Sequence, residues 1–286
     1  MESNYIEKAS EKAKNIVARM KEITAMDAYQ LTIIKDSQPD IFDSKFGGVP
    51  YWDMAKEYPV DCEGDKMMLL AQINFTKAAL EDERLPRQGI LQFFIATGDD
   101  VYGMDWEEAD SQRNFRVVYH EGVDVTITKE QVLSLDIPIA TSEDNEYTPV
   151  FKEAALKLTK KTTYLGAEDY RFEEIFARVV KELYGEDVQE SGYYGYLNEE
   201  DQDYIFYECS NDGHWILGYP YFTQSDPREY REDDYYNTLL FQMDSDMIDS
   251  EDYVLWGDSG VANFFINEEA LKNKDFSKVM YNWDCC

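Results

Sequence analysis

The chain has 286 residues, 44% of them hydrophobic and 15% aromatic, enough apolar material for one large core or two joined smaller ones, which argues against global disorder. Its 59 acidic and 27 basic residues give a formal charge of -32, which repels phosphate backbones and anionic lipid heads and attracts cationic surfaces. Nucleic acid and membranes are therefore not expected as partners. A basic protein is a candidate partner, beside the plainer reading that the charge keeps an aromatic-rich chain soluble.

In chain order, residues 1–14 are charged and helical in pattern, and no stretch approaches the roughly 18 to 20 apolar residues of a bilayer span, so a cytoplasmic location is expected. The stripe Ile6, Ala9, Ala13, Ile16, Val17, Met20 and Ile23 has helical spacing and predicts one apolar face, to be packed on a sheet. Runs at 31–34, 69–75, 90–96 and 115–119, rich in β-branched and aromatic residues, predict strands. They lack a clean period of two, so coverage on both faces is expected. Residues 128–135 and 150–161 read as connecting helical segments. A second stripe, Phe172, Ile175, Phe176, Val179, Val180 and Leu183, predicts another helix, closed by a left-handed Gly185.

The chain also repeats itself. Gly48-Val49-Pro50-Tyr51-Trp52 is echoed by Gly218-Tyr219-Pro220-Tyr221-Phe222, and Leu69-Leu70-Ala71-Gln72-Ile73-Asn74 by Leu239-Leu240-Phe241-Gln242-Met243-Asp244, both at an offset of 170. Gly89-Ile90-Leu91-Gln92-Phe93-Phe94-Ile95 matches Gly260-Val261-Ala262-Asn263-Phe264-Phe265-Ile266 at 171, and a weaker match sets 115–118 beside 276–279 at 161. The expected fold class is α+β with internal duplication: two pseudo-two-fold related α+β repeats with mainly antiparallel sheets, forming one compact unit. The first repeat, with its N-terminal helix, is assigned to 1–128, a connecting segment to 129–165 and the second repeat to 166–286.

Chemistry-bearing motifs are sparse. Cys62, Cys209, Cys285 and Cys286 form neither a C-x-x-C pair nor a zinc pattern, and free thiols are expected. His120 and His214 read as ordinary strand-end or turn histidines. Gly257-Asp258-Ser259-Gly260 resembles the stretch around a serine-protease nucleophile, but the match stops there and a structural turn is the better reading. Asp244, Asp246, Asp249, Glu251, Asp252 and Asp258 crowd one stretch, yet their spacing misses the calcium loop, so neither a metal nor another cofactor is expected. Residues 226–258 hold eleven acids and two arginines and lie among many tyrosines, a composition suited to a contact surface. Tyr221, Asp233, Asp234, Asp244, Asp246, Asp252 and Asp258 are the candidate binding residues.

The repeated blocks, together with Phe46-Gly47-Gly48-Val49-Pro50-Tyr51, Leu85-Pro86, Gly89-Ile90-Leu91-Gln92-Phe93-Phe94, Trp256-Gly257-Asp258-Ser259-Gly260 and Tyr281-Asn282-Trp283-Asp284-Cys285-Cys286, resemble the YwqG-like family of bacterial proteins from about residue 46 onward. The resemblance implies a fold and a bacterial cytoplasmic setting but no catalytic residues, because the family is a domain of unknown function. Some relatives are encoded near toxin and immunity genes, which implies, by analogy only, a protein-binding, toxin-neutralising role. Asp53 departs from the family, which often has a further Pro there. The expected function is a protein-binding or inhibitory, immunity-like module. The alternative is a carboxylate- or metal-dependent hydrolase with its site in the cleft between repeats. A pocket of convergent acids with a raised carboxylate pKa would favour the enzyme, and a flat tyrosine-acid face the binder.

Overall fold

The computed structural model describes residues 4–139 and 147–285. Its strands are β1 (Met26–Ile34), β2 (Lys45–Phe46), β3 (Met68–Asn74), β4 (Ile90–Ile95), β5 (Phe115–His120), β6 (Ala154–Thr163), β7 (His214–Ile216), β8 (Thr238–Asp244), β9 (Asp246–Ile248), β10 (Glu251–Val254), β11 (Val261–Ile266) and β12 (Val279–Asp284). Its helices are α1 (Asn4–Lys8), α2 (Glu11–Thr24), α3 (Phe75–Ala78), α4 (Lys129–Leu133), α5 (Phe172–Tyr184), α6 (Gly192–Tyr196), α7 (Glu199–Glu208) and α8 (Glu268–Lys272). No helix among the described residues is long and apolar enough to cross a membrane.

Ten strands form one antiparallel sheet in the order β12-β11-β8-β7-β1-β6-β2-β3-β4-β5, while β9 and β10 pair as a separate hairpin. At its centre β1 and β6 pair from Met26 opposite Thr163 to Ile34 opposite Ala155. The short strand β2 pairs with β6, and β7 pairs with β1. The two end strands approach each other and nearly close the sheet: the Phe115 and Tyr281 rings lie 5.1 Å apart, and Tyr281 N donates to Ala109 O at 2.9 Å. The enclosed core joins both ends, with Phe93 4.6 Å from Phe241 and 4.9 Å from Phe264, ring to ring.

The continuous apolar runs are buried on both faces, as their lack of alternation predicts. Leu69 and Phe94 turn away from the main core and lie under Trp52, Tyr58 and Val132. On β11 the outward Phe265 lies under Phe222 and under the Arg228 guanidinium, 4.2 Å from the ring centroid. Arg228 is itself buried in an ion cluster, 2.6 Å from Asp226 and 3.0 Å from Asp169, which also holds Arg171 at 2.6 Å. Asp226 therefore does not belong to the acidic surface expected over 226–258.

Two buried amides tie the covering loops to the sheet. Gln72 accepts from Tyr51 N at 2.9 Å and donates to the carbonyls of Ile41 and Asp43, both at 2.9 Å. Gln242 accepts from Tyr221 N at 2.8 Å and donates to Asn211 O and Gly213 O, both at 2.8 Å. Each loop enters over a left-handed glycine, Gly48 (φ 72) and Gly218 (φ 83), where a side chain would also strike a neighbouring strand or its approach: a Cβ on Gly218 would lie 2.8 Å from Ala28 Cβ.

Three local expectations need correction. Residues 150–161 are not helical, since 154–163 form β6: Ala154 and Leu156 turn inward, Thr159, Thr162 and Thr163 favour a strand, and pairing with all of β1 overrides the Ala-Leu-Lys helix propensity. Helices α2 and α5 do not each pack on a sheet but share a separate core, in which Ile16, Val17, Met20, Phe176, Val179 and Val180 are buried with Ile205 of α7. They also hold different places in the strand order, α2 before β1 and α5 after β6. Finally, β12 starts at Val279, so the weak match of 115–118 to 276–279 is three residues out of step: Phe115 pairs with Ile95 as Val279 pairs with Ile266. Gly185 does close α5 with φ 69.

Replacing either glutamine by leucine keeps the volume but orphans one backbone N–H and two backbone C=O groups, and at Gln72 it also removes the partner of a Gln92 side-chain N–H. At about 1–3 kcal/mol for each orphaned group, Gln72→Leu and Gln242→Leu should each destabilise the fold by about 3 kcal/mol or more. Urea denaturation of the two variants measures this, and a wild-type midpoint in either would refute the clamp.

Candidate functional site

The hairpin β9–β10 turns through Asp249 (φ 52) and Ser250 (φ 67), two left-handed residues suited to a tight two-residue reversal. It is fastened to the chain ahead of β6, where Phe151 N donates to Tyr253 O at 3.0 Å and Leu255 N to Pro149 O at 2.8 Å. So held, it walls a cavity of about 260 Å3 with the end of β8, the turn before β7 and the 257–260 turn; the acids lining it are Asp212, Asp244, Asp246 and Asp252, joined by Tyr221 and Ser259. No cationic side chain among the described residues lines it.

Asp244 ends β8 and lies half-buried. Its oxygens accept from Gly213 N at 2.7 Å and Ser245 N at 2.8 Å, and its own N–H donates to His214 Nδ1 at 3.0 Å. That donation leaves the His214 proton on Nε2, which faces Asp246 Oδ2 at 3.2 Å. Burial pushes the Asp244 carboxyl up to about 6, and the Asp212 charge acts in the same direction, against the backbone donors and His214. Burial also raises the Tyr221 hydroxyl to about 12, helped by the Asp244 charge.

The end of β3 makes a similar amide-to-side-chain bond with different chemistry. There Asn74 N donates to Ser44 Oγ at 2.9 Å, and the Asn74 side chain bonds Phe42 O at 2.7 Å and Lys77 N at 3.0 Å. Ser44 and Asn74 lie 170 residues before His214 and Asp244.

Of the seven residues expected to bind, Tyr221, Asp244, Asp246 and Asp252 meet at this cavity. Asp233 and Asp234 line another, of about 220 Å3, where Arg228 and Arg231 answer the acids and Tyr170 donates to Asp234 at 2.5 Å. Asp258 is exposed on the 257–260 turn and lines neither. Two further acids of the stretch are paired, Asp249 with Lys35 and Glu251 with Lys152.

Sequence reasoning passed over His214, Asp212 and Ser259. The signal for His214 was its alignment with Ser44 at the same offset as the repeated blocks. The protease-like stretch is a turn: the amides of Ser259 and Gly260 both donate to Trp256 O, at 3.1 and 2.6 Å, and so form no oxyanion hole. A Cβ on Gly260 would lie 1.9 Å from Asp284 O, which explains the glycine. His120 is a strand-end histidine, the last residue of β5, and is buried 3.0 Å from Gln92 Oε1, where burial lowers its pKa to about 4. Cys62, Cys209 and Cys285 are free thiols, and Cys286 lies outside the described residues. Among the described residues no group of three or more His, Cys, Asp or Glu side chains is placed to hold a metal ion.

Carboxyl-detected NMR titration should find Asp244 with a midpoint near 6, against the ordinary 3.8. Asp212→Asn should lower that midpoint, since one like charge is removed. An Asp244 midpoint at or below 4 would contradict the electrostatics described here.

No curated protein matches this sequence. The pattern of one protein family does match, over residues 44–285, a span that covers the sheet from β2 to β12 and the acidic cavity. The chain therefore belongs to the DUF1963 family, a domain of unknown function.

Proposed function

We propose that the protein is a binding module of the YwqG-like kind, bacterial and cytoplasmic, that takes a guanidinium or ammonium group of a basic protein partner into the acidic cavity, in an inhibitory or immunity-like role. The observation that carries this reading is the convergence of Asp212, Asp244, Asp246 and Asp252 on one cavity with no cation among its described lining residues. Four acids that share one cavity repel one another, and the Asp212 charge adds to the burial that raises the Asp244 pKa. A bound cation relieves that repulsion. The Tyr221 ring adds a face for a cation.

The same reading includes an internal duplication, with the start of the second unit moved back from residue 166 to β6, which answers β1. It is supported by the strand order, in which β1, β2, β3, β4 and β5 are answered by β6, β7, β8, β11 and β12 outward from the centre. It is supported too by the matched clamps of Gln72 and Gln242. On this view one ancestral strand end became the structural pair Ser44 and Asn74, and its copy became the titratable pair His214 and Asp244.

A hydrolase using Asp244 and His214 is the second reading, favoured by a carboxyl near neutrality in a pocket of convergent acids. Against it, both His214 ring nitrogens are engaged within the protein, by Asp244 N and by Asp246, and His214 does not line the cavity. The cavity is also built from residues 212–259 alone and does not lie between the two halves.

Binding of N-acetyl-arginine amide, with the uncharged citrulline analogue as control, tests the proposal. Arginine should bind and citrulline should not. The affinity should fall as salt shortens the Debye length from about 10 Å at 0.1 M towards 3 Å at 1 M. It should also fall as pH drops through 6, because protonated Asp244 no longer attracts the cation. The double variant Asp246→Asn, Asp252→Asn should weaken binding about tenfold, as loss of a charge-assisted pair implies, with melting nearly unchanged. Equal binding of both analogues would end the proposal.

A further inference from the structure

A cavity of about 510 Å3 lies at the seam where the end strands β5 and β12 approach each other, and its wall is basic although the chain carries -32. Arg113 and Arg116 reach it from the start of β5, and Lys274 from the turn after α8. No carboxylate among the described residues lines it. It is broad and open to solvent, so a ligand would lie along its wall.

The cations are set in place before any ligand arrives. Arg116 donates from Nε to Gln112 O at 3.1 Å, and its terminal nitrogens have no carboxylate partner among the described residues. Gln112 is buried and spans the seam, donating to Phe276 O at 2.8 Å and accepting from Val117 N at 2.8 Å. Arg113 and Lys274 are steered by exposed pairs, Arg113 to Asp105 at 3.1 Å and Glu108 at 2.8 Å, Lys274 to Glu121. Pairs of that kind contribute little and exchange readily for another oxyanion. Two residues of the wall, Gln112 (φ 51) and Lys274 (φ 57), hold left-handed backbones although neither is glycine. Such conformations persist where the surroundings enforce them, here the end of α8 before Lys274 and the bonds of Gln112 across the seam.

From the cations and the rings of Tyr119 and Phe276 on the same wall we infer that the seam binds a small organic oxyanion, a phosphate monoester or a carboxylate bearing a ring. Arg116 presents a planar fork to the oxyanion and Lys274 a point charge. The Tyr119 and Phe276 rings, with centroids 5.5 Å apart, form the apolar side against which the ligand's ring packs. This site is separate from the acidic cavity, and its occupant has the opposite charge.

Calorimetric titration of the whole protein with phenyl phosphate and with benzoate, using inorganic phosphate and acetate as ringless controls, tests the inference. A ring-bearing anion should bind saturably at one site and more tightly than its control. The tighter of phenyl phosphate and benzoate identifies the oxyanion as phosphate or carboxylate. Arg116→Gln should weaken that binding about tenfold, as loss of a charge-assisted hydrogen bond implies, with the melting transition unchanged. Should Arg116→Gln unfold, Lys274→Gln, on an exposed turn, reads the same oxyanion contact. Failure of both ring-bearing anions to saturate, or undiminished affinity in the folded variant, overturns the inference.

Discussion

The antiparallel pairing of β1 with β6 is the contact on which the rest of the molecule depends. Nine register pairs join strands more than a hundred residues apart, and each of the two strands then receives a short strand from the other side of the chain, β7 on β1 and β2 on β6. Neither half can complete its own sheet. Removing either central strand would expose two rows of backbone donors and acceptors at once, and such groups are costly unless paired. The closure of such long chain loops must be compensated by the burial that the sheet makes possible, which is concentrated in the fully covered strands β3, β4, β8 and β11.

Around that sheet, order is carried by polar groups buried in apolar surroundings. Gln72 and Gln242 each hold a covering loop by one accepted and two donated bonds to its backbone, so the loop path is specified as well as stabilised. The Asp169, Arg171, Asp226 and Arg228 cluster does the same between the start of α5 and the 226–231 loop. Burial alone would raise the Asp169 pKa, but the hydrogen bond and charge of Arg171 and the charge of Arg228 outweigh it and hold the carboxyl below its usual range. That balance separates a structural acid from Asp244, which burial raises because no arginine lies beside it.

Asn74 with Ser44 and Asp244 with His214 make the same strand-end amide bond with different chemistries. In both places a strand-end amide donates to a side chain 30 residues earlier, at 2.9 and 3.0 Å. With Ser and Asn the outcome is a neutral cap on α3, whereas Asp244 leaves a carboxyl at a cavity edge, with His214 buried behind it. The hairpin β9–β10, which follows β8, is what makes that edge a cavity, whereas α3 follows β3. The basic seam at the far strands is a separate product of near-closure, since its wall is shared by β5 and the approach to β12.

By itself the sequence determined the class of the fold, the strands at 69–74 and 90–95, the burial of both their faces, the two helices with apolar stripes and the Gly185 stop. These follow from local composition, periodicity and backbone freedom, which a short window of sequence contains. It also marked four members of the acidic cavity, Tyr221, Asp244, Asp246 and Asp252, because like charges crowded along the chain remain near one another when a hairpin folds them back. Only the tertiary structure decided that 154–163 is a strand, since its partner β1 lies far away in sequence. Only the tertiary structure sent Asp233 and Asp234 to a cavity already answered by arginines, buried Asp226 in an ion cluster and brought His214 against Asp244 and Asp246. Those outcomes depend on which side chain of opposite charge, or which strand edge, arrives from elsewhere in the chain, and no local pattern of residues records that arrival.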